Sequence, residues 1–346
     1  MNRAKWCFLA VAVAFAAGLP AQEFVSAPLK DLKLAPLAGV KAEAKRSGEA
    51  TALTFSKPGE ERRFLALEGK VDGDATGAKA LALKYRLSLT KGTTPRLAAL
   101  VFDQSGGSWF KVGPAAQVGE LTEGRLSVAA LQQTGFSESK SGKLEWDKLQ
   151  KVWVGLVFDG PAEGSFEVRE ARLTGEAYKP TSVLRITGDG PGKWSVGQDA
   201  AVKSTCTTPN EGPGGKACLK YDFTLPGGRH MYAIPSTPMP DAEVEGYRAL
   251  RFTYKATLPE GIKGLLVMLG ERVGCQYYAN PMPPASADWT TITIPFEQFT
   301  LGEWTKDPDG KLDLDDVVSV MIGTHGAASG GGGPGLIMAC DLEFVP

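Results

Sequence analysis

Two short segments in the second half of the chain set chemically useful side chains at strand spacing. They are Gly228-Arg229-His230-Met231-Tyr232 and Gln276-Tyr277-Tyr278-Ala279-Asn280. Successive side chains of a β-strand point to opposite faces. If Met231 and Cys275 turn inward, His230, Tyr232, Gln276 and Tyr278 share the other face, with Arg229 in the same segment. That face would offer aromatic rings for the C–H surface of a sugar and polar groups for its hydroxyls. Trp304, and Trp109-Phe110 in the first half, lie beside loops and could stack in the same way. Trp289 opens an apolar strand and reads as core, as do Trp153 and Trp194. The plainer reading of the Tyr/His/Gln group is half-buried sheet residues with satisfied hydroxyls.

Other chemistries find little support. Gly-x-Ser-x-Gly is absent, and neither His230 nor His325 stands in a nucleophile motif. Asp313, Asp315 and Asp316 cluster where a solvated turn is expected, so no catalytic pair is assigned and no enzyme is expected. Asp307-Pro308-Asp309-Gly310-Lys311-Leu312-Asp313 has oxygen ligands at alternate positions, as a calcium loop does. Pro308 stiffens it and Val318 stands where an EF-hand has glutamate, so a turn is expected; structural calcium elsewhere stays open. A zinc site is not expected, since no Cys-x-x-Cys spacing exists.

The N-terminus predicts export. Arg3 and Lys5 precede an apolar run from Trp6 to Leu19, and Leu19-Pro20-Ala21 offers a cut before Gln22. Residues 1–21 are therefore read as a signal peptide, and no later run is long enough to span a bilayer. Localisation is expected to be secreted or periplasmic. The formal charge of −1 becomes about −3 when Arg3 and Lys5 leave, which gives no footprint for nucleic acid. Cys206, Cys218, Cys275 and Cys340 remain, an even number that suggests disulfides in an oxidising compartment. Three pairings exist. The turn-rich loop from Thr207 to Ala217 favours Cys206–Cys218, leaving Cys275–Cys340.

An internal repeat organises the rest. Leu53–Gly59 matches Tyr221–Gly227, Ala80–Tyr85 matches Ala249–Tyr254, Ala99–Phe102 matches Leu265–Met268, and Gly142–Asp147 matches Gly310–Asp315. Both copies carry short alternating runs between Gly, Pro and Asp turns, with single helical turns at 146–151 and 314–318 the only helix candidates. The expected fold is all-β: two tandem antiparallel jelly-roll β-sandwich domains related by duplication. The divisions are 22–176, a linker at 177–183, and 184–346.

Asp288-Trp289-Thr290-Thr291-Ile292-Thr293-Ile294-Pro295-Phe296-Glu297-Gln298-Phe299, then Leu312–Val317, then the closing Leu336–Phe344, are similar to strands of galactose-binding-type jelly rolls. They resemble family 11 carbohydrate-binding modules and the domain of complex I intermediate-associated protein 30. In the first copy the likeness is weaker, because Leu126–Leu131 lacks the Trp and the Pro-Phe. The resemblance implies a non-catalytic carbohydrate-binding protein with a polysaccharide or glycan ligand, held mainly by the second copy. Fold does not choose function, so the alternative is a structural or interaction component with a cell-surface or periplasmic protein partner.

Overall fold

A computed structural model describes residues 24–346, except 36–38, 130, 141, 188–191, 241, 273, 308–309 and 327–329. The signal-peptide reading lies outside the described residues. No described helix is long and apolar enough to cross a membrane.

Twelve strands build the first half: β1 (Ser26–Pro28), β2 (Lys30–Leu34), β3 (Lys41–Ser47), β4 (Ala50–Lys57), β5 (Arg63–Lys70), β6 (Ala80–Gly92), β7 (Arg96–Asp103), β8 (Ser108–Ala115), β9 (Thr122–Ser127), β10 (Gln132–Gln133), β11 (Leu149–Phe158) and β12 (Ala162–Thr174). The second half has β13 (Leu184–Arg185), β14 (Ser195–Gln198), β15 (Lys203–Thr207), β16 (Leu219–Leu225), β17 (Met231–Pro238), β18 (Ala249–Thr257), β19 (Leu266–Glu271), β20 (Gln276–Ala279), β21 (Thr290–Pro295), β22 (Phe299–Leu301), β23 (Val317–Gly326) and β24 (Gly333–Val345).

The strands form four antiparallel sheets. In the first half, β3-β4-β12-β6-β9, with β1 on β12, faces β2-β5-β11-β7-β8-β10. In the second, β15-β16-β24-β18-β21, with β13 on β24, faces β14-β17-β23-β19-β20-β22. Strand for strand, the second half repeats the order of the first, so the duplication read from sequence is present in the fold. One segment match shifts. Leu100 pairs with Phe110 and Met268 with Tyr278, so Leu100 corresponds to Met268 and not to Leu266.

Alternation explains most strands. In β16, Leu219, Tyr221, Phe223 and Leu225 are buried while Asp222 and Thr224 are exposed. Each half has its own core, one centred on Leu53, Phe158 and Phe166, the other on Tyr221, Phe252 and Phe344. Each such side chain contributes about 1.5–3 kcal/mol by leaving water. The expected helical turns are 3-10 turns, Trp146–Lys148 and Leu314–Asp316. Neither Glu145 nor Asp313 caps its turn through a side chain.

The expected disulfides are absent: no S–S bond joins Cys206, Cys218, Cys275 or Cys340. The reason is which face each occupies. Cys206 packs against the second core, whereas Cys218 joins a cluster with Met338 and Cys340 on the outer side of the same sheet. Cys275 lies in the core while Cys340 lies in that outer cluster. Both expected pairs would have to cross a sheet.

Polar groups of the first half, Lys111, Arg125 and Ser127, meet Glu243, Glu245 and Asp315 of the second. The Ser127 N–H donates to Glu243 at 2.8 Å and its hydroxyl to Asp315 at 2.5 Å. Lys111 Nζ lies 3.6 Å from both Glu243 and Asp315, and Arg125 lies 3.4 Å from Glu245. Burial, the largest cause, and the nearby Asp315 charge together raise the Glu243 carboxyl to about 7, despite Lys111.

Candidate ligand-binding trough

The trough lies on the outer face of the β14-β17-β23-β19-β20-β22 sheet. Its floor is made by β19, whose residues Leu266–Glu271 are all buried. A strand with one solvated face alternates, whereas this one is apolar on both. Leu266 and Met268, with Ile234 of β17 and Met321 of β23, form a second apolar layer outside the core. Tyr232, Tyr278 and Met282 pack on that layer. Ladder register sets the walls: Tyr232 stands opposite His325, and Met268 stands between Tyr278 and Met321.

Met231 and Cys275 do turn into the core. The trough, of about 530 Å³, is lined by His230, Tyr232, Lys263, Leu266, Tyr278, Asn280, Pro281, Met282, Glu303, Trp304 and His325. Trp304 is 47% exposed, and its ring centroid lies 5.7 Å from that of Tyr278 and 6.2 Å from that of Tyr232. The His230 ring meets Tyr232 edge-on at 4.7 Å and lies 5.2 Å from His325. The structure thus brings His230, Tyr232, Tyr278 and Trp304 together.

Gln276 does not line the trough. Its side-chain oxygen accepts the Trp304 indole N–H at 2.6 Å and holds the ring upright. Gly302 lies beneath that ring, since a Cβ there would come within 2.6 Å of the indole. Arg229 points away, its Nε donating to Met231 Sδ at 3.3 Å. Trp109, read from sequence as a stacking residue, is buried on the face opposite to Phe110. Trp289 packs on the outer cluster of Cys218, Met338 and Cys340 and not in the main core.

Sequence reasoning missed His325, Lys263, Asn280, Met282 and Glu303, which come from a distant strand and from loops. The signal that marks the site is the unbroken apolar run Leu265–Leu269 of a strand that ought to alternate.

Electrostatically the trough is close to neutral. Burial, then the neighbouring His230, lowers the pKa of His325. Its Nδ1 is buried without a hydrogen-bond partner. Burial, then the Asp199 charge, raises the Tyr232 hydroxyl, while its backbone N–H donates to Asp199 at 2.7 Å. Lys263 and Glu303 contribute one charge of each sign at the rim.

Away from the trough, Glu271, Cys275 and Asp307 bring their donor atoms within 4.8 Å of one another and form the described group able to hold a metal ion. They already have local partners: the Tyr277 hydroxyl donates to Asp307, the Cys275 thiol to Lys306 O at 2.9 Å, and the Asp313 N–H to Glu271 at 2.7 Å. Burial, then the charges of Asp307, Asp313 and Asp316, raises Glu271 to about 7 despite the Asp313 N–H. Pro308 and Asp309 of the calcium-like loop lie outside the described residues. A further groove, of about 430 Å³ on the other sheet, has Arg251 paired with Glu343 at 2.5 Å and Lys216 with Asp341 at 2.9 Å; no aromatic side chain lines it.

No family model and no curated protein sequence matches the chain. Solved structures similar to it include the family 11 carbohydrate-binding module of the cellulosomal cellulase Lic26A-Cel5E of Clostridium thermocellum (17% identity, 48% of this chain and 96% of that one, TM-score 0.38). A second is that bacterium's family 11 module in complex with a β-1,3-1,4-mixed-linked tetrasaccharide (18% identity, 48% and 97%, TM-score 0.37). A third is the N-terminal CBM22-1-CBM22-2 tandem domain of Paenibacillus barcinonensis Xyn10C (14% identity, 90% and 92%, TM-score 0.26).

Proposed function

We propose that this chain is an exported carbohydrate-binding protein that holds a neutral glycan in the trough of its second sandwich, without turning it over. The observation that carries this reading is the convergence of Tyr232, Tyr278 and Trp304 over an apolar floor, rimmed by His230, Lys263, Asn280 and Glu303. A concave, largely apolar site with a few polar groups suits a small ligand. Ring faces suit the C–H surface of a sugar and the rim suits its hydroxyls. Glu303 is the one carboxylate among the described lining residues, whereas glycoside hydrolysis takes a pair. Export rests on the N-terminal pattern of residues 1–21, and the domain division we propose falls at 177–183.

Affinity gel electrophoresis across neutral polysaccharides tests the reading. At least one neutral β-linked polymer is expected to retard the protein, and the Tyr232→Ala and Tyr278→Ala variants should lose that retardation while keeping their unfolding temperature. Equal mobility in every gel would overturn it.

A further inference from the structure

The shared strand order lets each trough residue be located in the first half by ladder register. Tyr232 pairs with His325, and Phe64 pairs with Val157. Tyr278 pairs with Met268 and Thr300, and Phe110 pairs with Leu100 and Gln132. Beyond these strands the backbone bonds repeat: Gly302 N–H donates to Gln276 O at 2.8 Å and Thr134 N–H to Ser108 O at 2.9 Å. Thr305 N–H donates to Gly302 O at 3.0 Å, and Ser137 N–H to Thr134 O at 3.1 Å. An offset of 168 therefore holds for these strands and the turn that follows them (64 to 232, 110 to 278, 136 to 304). Tyr232, Tyr278 and Trp304 correspond to Phe64, Phe110 and Phe136.

The first half therefore carries an aromatic side chain at each of these three positions. The two aromatic side chains that are largely exposed among the described residues are Trp304, at 47%, and Phe136, at 66%, and they hold the same place in the two halves. Phe64 and Phe110 are half-buried. Phe64 on β5 and Phe110 on β8 are separated by β11 and β7, so the rings are spread across the sheet.

The polar surroundings differ in kind. Arg62 stands where the second half has His230, and Arg96 where it has Gly264. Both guanidinium groups lean on one carboxylate: Arg62 lies 2.7 Å and Arg96 3.1 Å from Asp159. Farther along the same face, Lys33 and Lys151 share Glu68, at 3.1 and 3.2 Å. Within these two groups four cations share two anions. At the matching positions of the second half stand Ser195, Ser319 and Ser236, which carry no charge.

We propose that this face of the first sandwich is a second glycan-binding surface, taking acidic, uronate-bearing chains. The inference rests on the glycan reading of the second half and extends it to a different ligand class. Spread rings suit successive sugars of a polymer, and the excess cationic charge suits their carboxylates. Loss of both tyrosine hydroxyls and of both histidines disfavours the neutral ligand held by the other trough.

The test is affinity electrophoresis of the mature chain in gels of polygalacturonate, of the same polymer with its carboxylates methyl-esterified, and of a neutral β-glucan that retards the wild type. Phe136→Ala and Arg62→Gln are both exposed substitutions. Each is expected to weaken retention on polygalacturonate about fivefold or more and to leave the β-glucan gel unchanged, with esterification abolishing the effect. Trp304→Ala should do the reverse. Retention on polygalacturonate that is absent, or that falls with Arg62→Gln but not with Phe136→Ala, overturns the proposal, the second case being simple ion exchange. Failure of the neutral reading shows separately, as no retention in any neutral gel.

Discussion

At the scale of single residues, each trough side chain is held by different neighbours. Trp304 is exposed and gains nothing from core packing, so Trp304→Ala should cost little stability yet lower glycan affinity about tenfold or more, near 1.4 kcal/mol or above. Titration calorimetry beside thermal unfolding would separate the two effects. Gly302→Ala would push the indole off its seat, and a binding loss comparable to Trp304→Ala is expected, again by calorimetry. The tyrosine pair was legible in the sequence because strand alternation fixes relative facing once Met231 and Cys275 are assigned inward. His325 and Lys263 were not, because register between distant strands leaves no local trace. The cysteine pairing failed for a related reason: loop composition says nothing about which face of a sheet a thiol occupies.

Among the elements, the neighbouring strands β11 and β5, and likewise β23 and β17, owe their close approach to glycine at two corresponding places. A Cβ on Gly155 would lie 2.0 Å from Leu65 O, and one on Gly323 would lie 2.3 Å from Ala233 O. Gly155→Ala and Gly323→Ala should each destabilise by about 3 kcal/mol, read by urea unfolding, since the neighbour in the way is backbone and cannot rotate aside. Strand existence was readable from alternation, as in β16. The two-residue slip in matching Ala99–Phe102 to the second copy was not avoidable, because runs such as Leu97–Val101 and Leu265–Leu269 are apolar at every position and carry no phase. The same lack of phase marks the strand beneath the trough.

Over the whole molecule, stability should follow three perturbed carboxyls. Glu243, between the halves, and Glu271 are raised to about 7, in both cases chiefly by burial. Their contribution is present below about 4.5, the ordinary glutamate value, and is lost as pH rises through about 7. Glu68 is lowered to about 2: Trp153, Lys33 and Lys151 bond its charged form and outweigh burial, its largest single cause, which acts the other way. Its contribution is present above about 4.5 and is lost as pH falls through about 2. The unfolding temperature should therefore peak near about pH 5, and Glu243→Gln should flatten the decline between about pH 5 and 8. If two faces bind at once, linkage through the buried Lys111–Glu243–Asp315 contact fixes their separation, and avidity on a polymer follows from that geometry.

The claim that the Tyr232–Tyr278–Trp304 trough holds a neutral sugar chain is tested most directly by the indole N–H resonance of Trp304, identified by its loss in Trp304→Phe. Titrating a neutral β-glucan oligosaccharide, drawn from the polymer that retards the protein, should shift that resonance with a midpoint equal to the calorimetric affinity. A resonance that stays fixed while the oligosaccharide binds would place the sugar elsewhere and contradict the account.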